Sequence, residues 1–151
     1  MNIRPYESTD LEKVLVLFRS NIPKYFGPVE EPGLRDFLTD HTEYYYVIEI
    51  NGEIVGAGGI GLNDDDSVSL CWGMVHHDHL GTGLGKVLTE YRIGRSREIF
   101  GAKSLVTSTS QHTEGFYKKF GFVTFEHTPD GFGRGIDICK MRLEFAAADH
   151  S

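Results

Sequence analysis

The chain has 151 residues, 40% hydrophobic and 25% charged, and its 15 Lys and Arg against 22 Asp and Glu leave a formal charge of −7 at pH 7. That length supports one domain whose core needs neither disulfides nor a structural metal, and no apolar run approaches the ~20 residues of a membrane-spanning helix. The acidic balance argues against non-specific nucleic-acid binding and mildly favours cationic small partners, while the start "MNIRPYESTD" lacks a signal-peptide apolar stretch, so a cytoplasmic location is expected.

After a short extended start around Ile3, Thr9 and Glu12 have capping-box spacing, and Leu11, Val14, Leu15 and Phe18 recur at helical spacing. A second helix is expected from Pro32, carrying Leu34, Phe37 and Leu38. "YYYVIEI" and "EIVGAGGI" are β-rich runs joined by Asn51-Gly52, which together take the positive φ angles of a type I′ hairpin turn. "NDDD" at 63–66 turns the chain into a third strand, "SVSLCWGMV". A glycine-rich run follows, then a helix to about Phe100 closed by Gly101 and a strand "KSLVTSTS". A short helix ending at Gly121 leads into two last strands separated by "TPDGFGRG". The order predicts an α/β (α+β) protein with a mixed sheet flanked by helices. No repeat or linker interrupts residues 1–146, expected to form a single domain, and 147–151 is expected to be a disordered tail. Cys71 and Cys139 lie in apolar, strand-like stretches without CxxC spacing and read as buried free thiols in a reducing compartment.

"HLGTGLGKVL", His79 to Leu88, spaces three glycines on alternate positions between a strand and a helix. Free N–H groups and the positive end of a helix dipole converge at such a junction, which suits an anion. A tight turn and a close helix packing are the competing explanations. Two familiar phosphate loops fail in register. A P-loop counted back from Gly85-Lys86 meets Leu80 at its first glycine and Val87 at its Ser/Thr. A dinucleotide fingerprint meets Lys86 or Leu88 where its last glycine belongs.

"VHHDHLGTGLGKVL" resembles the acetyl-coenzyme A signature of the GNAT acetyltransferase superfamily, [QR]-x-x-G-x-[GA], with Gly83 and Gly85 at its small positions and Leu80 where the family prefers Arg or Gln. "SQHTEGFYKKFGF", Ser110 to Phe122, resembles that family's later motif: Phe116, Tyr117, Lys119, Gly121 and Phe122 fall in place, whereas Ser110 replaces Asn and Thr113 replaces Ala. The resemblance covers roughly Tyr45 to Phe145. It implies a mixed, mostly antiparallel sheet of six to seven strands flanked by about four helices. It also implies an N-acetyltransferase in which an amine attacks acetyl-CoA directly, the cofactor lying where the strands Ser67–Val75 and Lys103–Thr109 splay apart. Backbone groups near Met74 and Val75 would then pair with the pantetheine arm. Amides of Leu80, Gly81, Thr82, Gly83, Leu84, Gly85 and Lys86 would hold the pyrophosphate, Ser110 would stand by the cofactor, and Tyr117 would be the general acid. A phenol suits that role because the leaving thiol has a pKa near ~8.5, below the ~10 of tyrosine, although an aromatic in "FYKKFGF" can equally pack the helix on the sheet.

"SVSLCWGMV" offers no carboxylate as general base, and His76, Asp78 and Glu114 read as solvated. No metal is expected, because neighbouring side chains of "HHDH" in an extended strand point to opposite faces. Trp72 fits the core or an acceptor pocket, and "PKYFGPVEE" offers Tyr25, Phe26, Glu30 and Glu31 as an aromatic and acidic wall for a cationic amine, or as a plain helix-connecting loop. The expected acceptor is therefore a small-molecule amine. A protein N-terminus or lysine, and a non-catalytic acyl-CoA sensing domain on the same fold, are the alternatives. Many members of the superfamily pair as homodimers through their last strands; "IDICKMRLEF" fits that arrangement and an interior strand of a monomer equally.

Overall fold

A computed structural model describes residues 1–145, so the expected tail at 147–151 lies outside the described residues. The strands are β1 (Asn2–Pro5), β2 (Tyr45–Ile50), β3 (Glu53–Leu62), β4 (Val68–Val75), β5 (Ser104–Thr109), β6 (Val123–Gly133) and β7 (Ile136–Glu144). The helices are α1 (Leu11–Arg19), α2 (Glu31–Asp40), α3 (Leu84–Phe100) and α4 (Glu114–Lys118). They build one seven-stranded sheet in the order β1-β2-β3-β4-β5-β7-β6, antiparallel everywhere except between β4 and β5. β7 is interior and β6 is the edge, so "IDICKMRLEF" pairs on both sides.

The apolar stripe of α1 buries Val14, Leu15, Leu17 and Phe18, which pack with Leu34 and Leu38 of α2 on one face of β2–β4. On the other face, Leu84 and Leu88 of α3 join Ile48 and Val55, and a second cluster gathers Leu105, Tyr117, Phe122 and Met141. The β2–β3 turn has the expected positive φ at Asn51 and Gly52, 51° and 81°, and Gly101 ends α3 at φ 60°.

Three local details differ from the sequence reading. The start of α1 is organised by Asp10 rather than by Thr9 and Glu12: its Oδ2 accepts the Glu7 N–H at 2.9 Å and pairs with Arg4 at 2.8 Å. Asp10 wins because it is buried and already fixed by the guanidinium. Most of "TPDGFGRG" belongs to β6, whose register shifts between Thr128 and Gly133, leaving Arg134-Gly135 as the turn. The irregularity absorbs Asp130 at φ 56° without ending the strand. Cys139 is buried, but Cys71 is only half-buried.

Candidate active site

β4 is the strand that makes the site. Ala57 faces Met74 and Gly59 faces Cys71, so one residue of β3, Gly58, opposes two of β4 and the chain bulges at Trp72 and Gly73. Trp72 takes φ 46°, and the buried Tyr45 hydroxyl donates to its carbonyl at 2.9 Å. Beyond that point β4 no longer pairs with β5: only Val68, Ser69 and Leu70 meet Leu105, Val106 and Thr107. The two strands therefore part over their C-terminal halves, and a cleft of about 1260 Å³ opens between them.

Backbone direction decides which groups reach the gap. The His76 N–H donates to Val55 O at 2.8 Å, so along an antiparallel strand the Met74 N–H also faces β3 and the Val75 N–H faces away, into the gap. The Val75 carbonyl accepts from the Asn21 side chain at 2.9 Å, which ties the end of α1 to the cleft. Of the two expected pantetheine partners, Val75 thus presents its backbone and Met74 contributes lining.

The glycine run forms the mouth. Gly81 and Gly83 sit at φ 79° and 90° with nothing within 4 Å of an added Cβ, whereas a Cβ on Gly85 would lie 3.5 Å from the Phe116 ring. Two glycines therefore serve a turn and an open face, and the third serves helix packing. Leu80 donates its N–H to the His77 carbonyl at 3.2 Å, but among the described residues the N–H groups of 81–86 have no acceptor. The first turn of α3 holds no acidic side chain, and Lys86 stands exposed at the rim. Six such donors at the positive end of a 17-residue helix form a cradle whose chemistry suits an anion. Leu80, 41% exposed, adds no polar group to it.

Deeper in the cleft lie Ser110 and Tyr117, both buried. The Ser110 carbonyl accepts the Thr113 and Glu114 N–H groups and its hydroxyl accepts that of His112, which starts α4. The Tyr117 ring stands edge-on to Phe116 and Phe122, at 5.2 and 5.5 Å between centroids, while its hydroxyl accepts from Arg92 Nη2 at 3.3 Å. Packing and access to the cleft are thus both served by the same residue.

Arg92 was not legible as a site residue. Its signal was the stripe Leu84, Leu88, Arg92, Ser96, a period of four along the buried side of α3 that places a charge among core positions.

At the far end, Trp72 stacks on Phe26 (6.2 Å, 29°) and meets Phe18 edge-on, so it belongs to the core and to the cleft wall together. Glu30 lines this end with Tyr25 and Phe26, and burial pushes its carboxyl up from the usual range despite a bond from the Gly27 N–H. Glu31 does not: Arg19 and Arg35 claim it, at 2.7 and 3.2 Å, and hold its carboxyl down to about 2. The hairpin of β6 and β7 reaches over this wall, Phe132 O lying 3.4 Å from the position of a Cβ on Gly27. His76, Asp78 and Glu114 do not line the cleft; His76 Nδ1 accepts the Asp78 N–H, and Glu114 accepts from the Thr124 hydroxyl. Among the described residues no group of three His, Cys, Asp or Glu is placed to hold a metal, and no helix is long and apolar enough to cross a membrane.

The fold recurs among solved structures. Ard1 from Thermoplasma volcanium superposes with a TM-score of 0.80 at 19% identity, over 96% of this chain and 97% of that one. The Salmonella typhimurium protein yncA, solved with its cofactor acetyl-CoA, gives 0.73 at 22% identity over 100% and 99%. A ribosomal-protein-alanine N-acetyltransferase from Brucella melitensis gives 0.72 at 19% over 96% and 100%. No curated protein matches the sequence significantly. The family described as an acetyltransferase (GNAT) domain matches residues 22–145, and with that match spanning the cradle, the splayed strands and Tyr117, this chain belongs to the GNAT acetyltransferase family.

Proposed function

We propose that this protein is an N-acetyltransferase that uses acetyl-CoA to acetylate a primary amine of a small molecule, with Tyr117 as general acid. The observation that carries the reading is the pairing of a loop at the cleft mouth, residues 81–86, whose backbone donors have no acceptor among the described residues, with a buried phenol in the cleft's depth. The N–H groups of 81–86 and the Lys86 ammonium suit the diphosphate of acetyl-CoA, and the Val75 N–H suits the amide groups of its arm. Bound there, acetyl-CoA supplies an acyl group on a thiol leaving group. An amine that arrives protonated first releases one proton to solvent; the neutral nitrogen then attacks, Tyr117 gives its phenolic proton to the departing sulfur and regains one from that nitrogen. The acceptor end combines the faces of Trp72 and Phe26 with the Glu30 carboxylate, which matches a protonated amine attached to a small body.

The test is thiol release from acetyl-CoA with spermidine, phenethylamine and an alanine-led peptide as acceptors, comparing the wild type with Tyr117→Phe. Turnover with the small amines that falls by about 100-fold or more in Tyr117→Phe, with acetyl-CoA affinity retained, is expected. Unchanged turnover in that variant removes the acid role. Preference for the peptide makes the acceptor a protein N-terminus, and tight acetyl-CoA binding without turnover leaves a sensing domain.

A further inference from the structure

In the wall of the cleft lies a charge with no counter-ion among the described residues. Arg92 is 2% exposed; among the described residues its Nε and Nη1 have no partner, and the one hydrogen bond of its side chain runs from Nη2 to the Tyr117 hydroxyl oxygen. Glycine makes the room for it: a Cβ on Gly73 would stand 2.6 Å from Nη2 and 2.9 Å from Nη1, and one on Gly58 would stand 3.1 Å from Nε. Burying an unpaired ion is costly, and an apolar side chain of similar volume is commonly as stable or more so. Stability of the fold therefore gives no reason for an arginine here.

Hydrogen-bond chemistry gives one. Guanidinium only donates, and a phenol has one proton, so an oxygen that accepts from Arg92 must direct its own O–H elsewhere. Among the described residues the Tyr117 hydroxyl has no other partner, and it borders the cleft. We infer that Arg92 is the positioning residue of the proton transfer: it fixes the Tyr117 oxygen, aims the phenolic proton into the cleft, and sets a permanent positive charge against the oxygen on which negative charge develops. The inference rests on the reading of Tyr117 as general acid. In the step it serves, the amine nitrogen bonds to the acyl carbon and the C–S bond breaks. Sulfur keeps that electron pair and takes the proton from Tyr117 Oη, and the nitrogen's released proton restores the phenol.

Four variants test this: Arg92→Met, Arg92→Lys, Tyr117→Phe, and Arg92→Met combined with Tyr117→Phe. Each is measured for acetyl-CoA affinity, melting temperature without ligand, and thiol release with spermidine and phenethylamine. Arg92→Met is expected to lower kcat by about 10–100-fold, the worth of a hydrogen bond to a charged group, with acetyl-CoA affinity kept and melting temperature unchanged or raised. Arg92→Lys recovers part of kcat, and adding Arg92→Met to Tyr117→Phe lowers it no further. A melting temperature that drops in Arg92→Met, losses that multiply in the double variant, or wild-type kcat in Arg92→Met overturns the inference. Loss in Tyr117→Phe without loss in Arg92→Met overturns the role of Arg92 alone, whereas full turnover in Tyr117→Phe, or none in the wild type with either amine or with the alanine-led peptide, overturns the general-acid reading beneath it.

Discussion

Replacing Gly83 with Asp probes the loop as an anion site, with Gly83→Ala as its control. Gly83 has φ 90° and nothing within 4 Å of an added Cβ, so neither side chain meets an obstacle. What both share is the strain of an L residue in the left-handed region, about 1–2 kcal/mol, or roughly 2–8 °C of melting temperature in a domain of this size. The Asp gains no capping bond to offset it, because a capping residue needs extended backbone. Only Asp brings charge. Two unit charges 4 Å apart repel by about 4 kcal/mol at an effective dielectric of ~20, and solvent at the mouth weakens that. A loss of about 2–3 kcal/mol is expected, equivalent to roughly 30–150-fold in Kd for acetyl-CoA. Titration calorimetry on both variants reads the difference directly, with Gly83→Ala staying within a few-fold of the wild type. A folded Gly83→Asp protein that binds as the wild type does refutes the reasoning, since the donors of 81–86 then do not face the diphosphate. Equal loss in Gly83→Ala refutes it in another way, by making backbone shape rather than charge the determinant.

Gly73→Ala drives a Cβ to 2.6 Å from Arg92 Nη2; it is expected to cost about 1–3 kcal/mol by overpacking and to lower kcat as Arg92→Met does, read by urea unfolding beside thiol release. The Arg4 guanidinium holds the Asp10 carboxyl below its usual range. With the folded pKa depressed, that stabilisation is complete above the unfolded value near ~3.9 and fades as pH falls through the folded one. Asp10→Asn should therefore cost about 1–3 kcal/mol at neutral pH, with the gap to the wild type narrowing below about pH 4 in denaturant titrations; a gap independent of pH contradicts the ion-pair origin. Glu30→Gln should raise KM for spermidine about 10-fold, roughly 1.4 kcal/mol, and leave the Kd for acetyl-CoA unchanged. Because burial pushes the Glu30 carboxyl up, the wild-type KM should fall as pH rises through that raised value, a dependence Glu30→Gln lacks.

The element order, the Asn51-Gly52 hairpin and the strand-to-helix place of the glycine run were determined by the sequence, because each rests on local periodicity or on backbone angles few residues tolerate. Leu11, Val14, Leu15 and Phe18 mark α1 without help from the rest of the chain. Tertiary structure decided everything that depends on which groups are left unpaired. Gly85 and Gly83 look alike in sequence, yet one packs on Phe116 and the other opens to the mouth. Glu30 and Glu31 are neighbours, yet Arg19 and Arg35 claim only the second. Cys71 reads as a buried thiol and Trp72 as core or acceptor pocket alike, and the bulge that Tyr45 holds in β4 brings both to the cleft. Arg92 is the clearest case. Its helical position follows from the sequence, whereas its missing counter-ion, the glycines beneath it and its bond to Tyr117 bring together residues 58, 73, 92 and 117. Local propensity senses only near neighbours along the chain, and a charge whose partner is 25 positions away becomes chemistry only when the sheet closes over it.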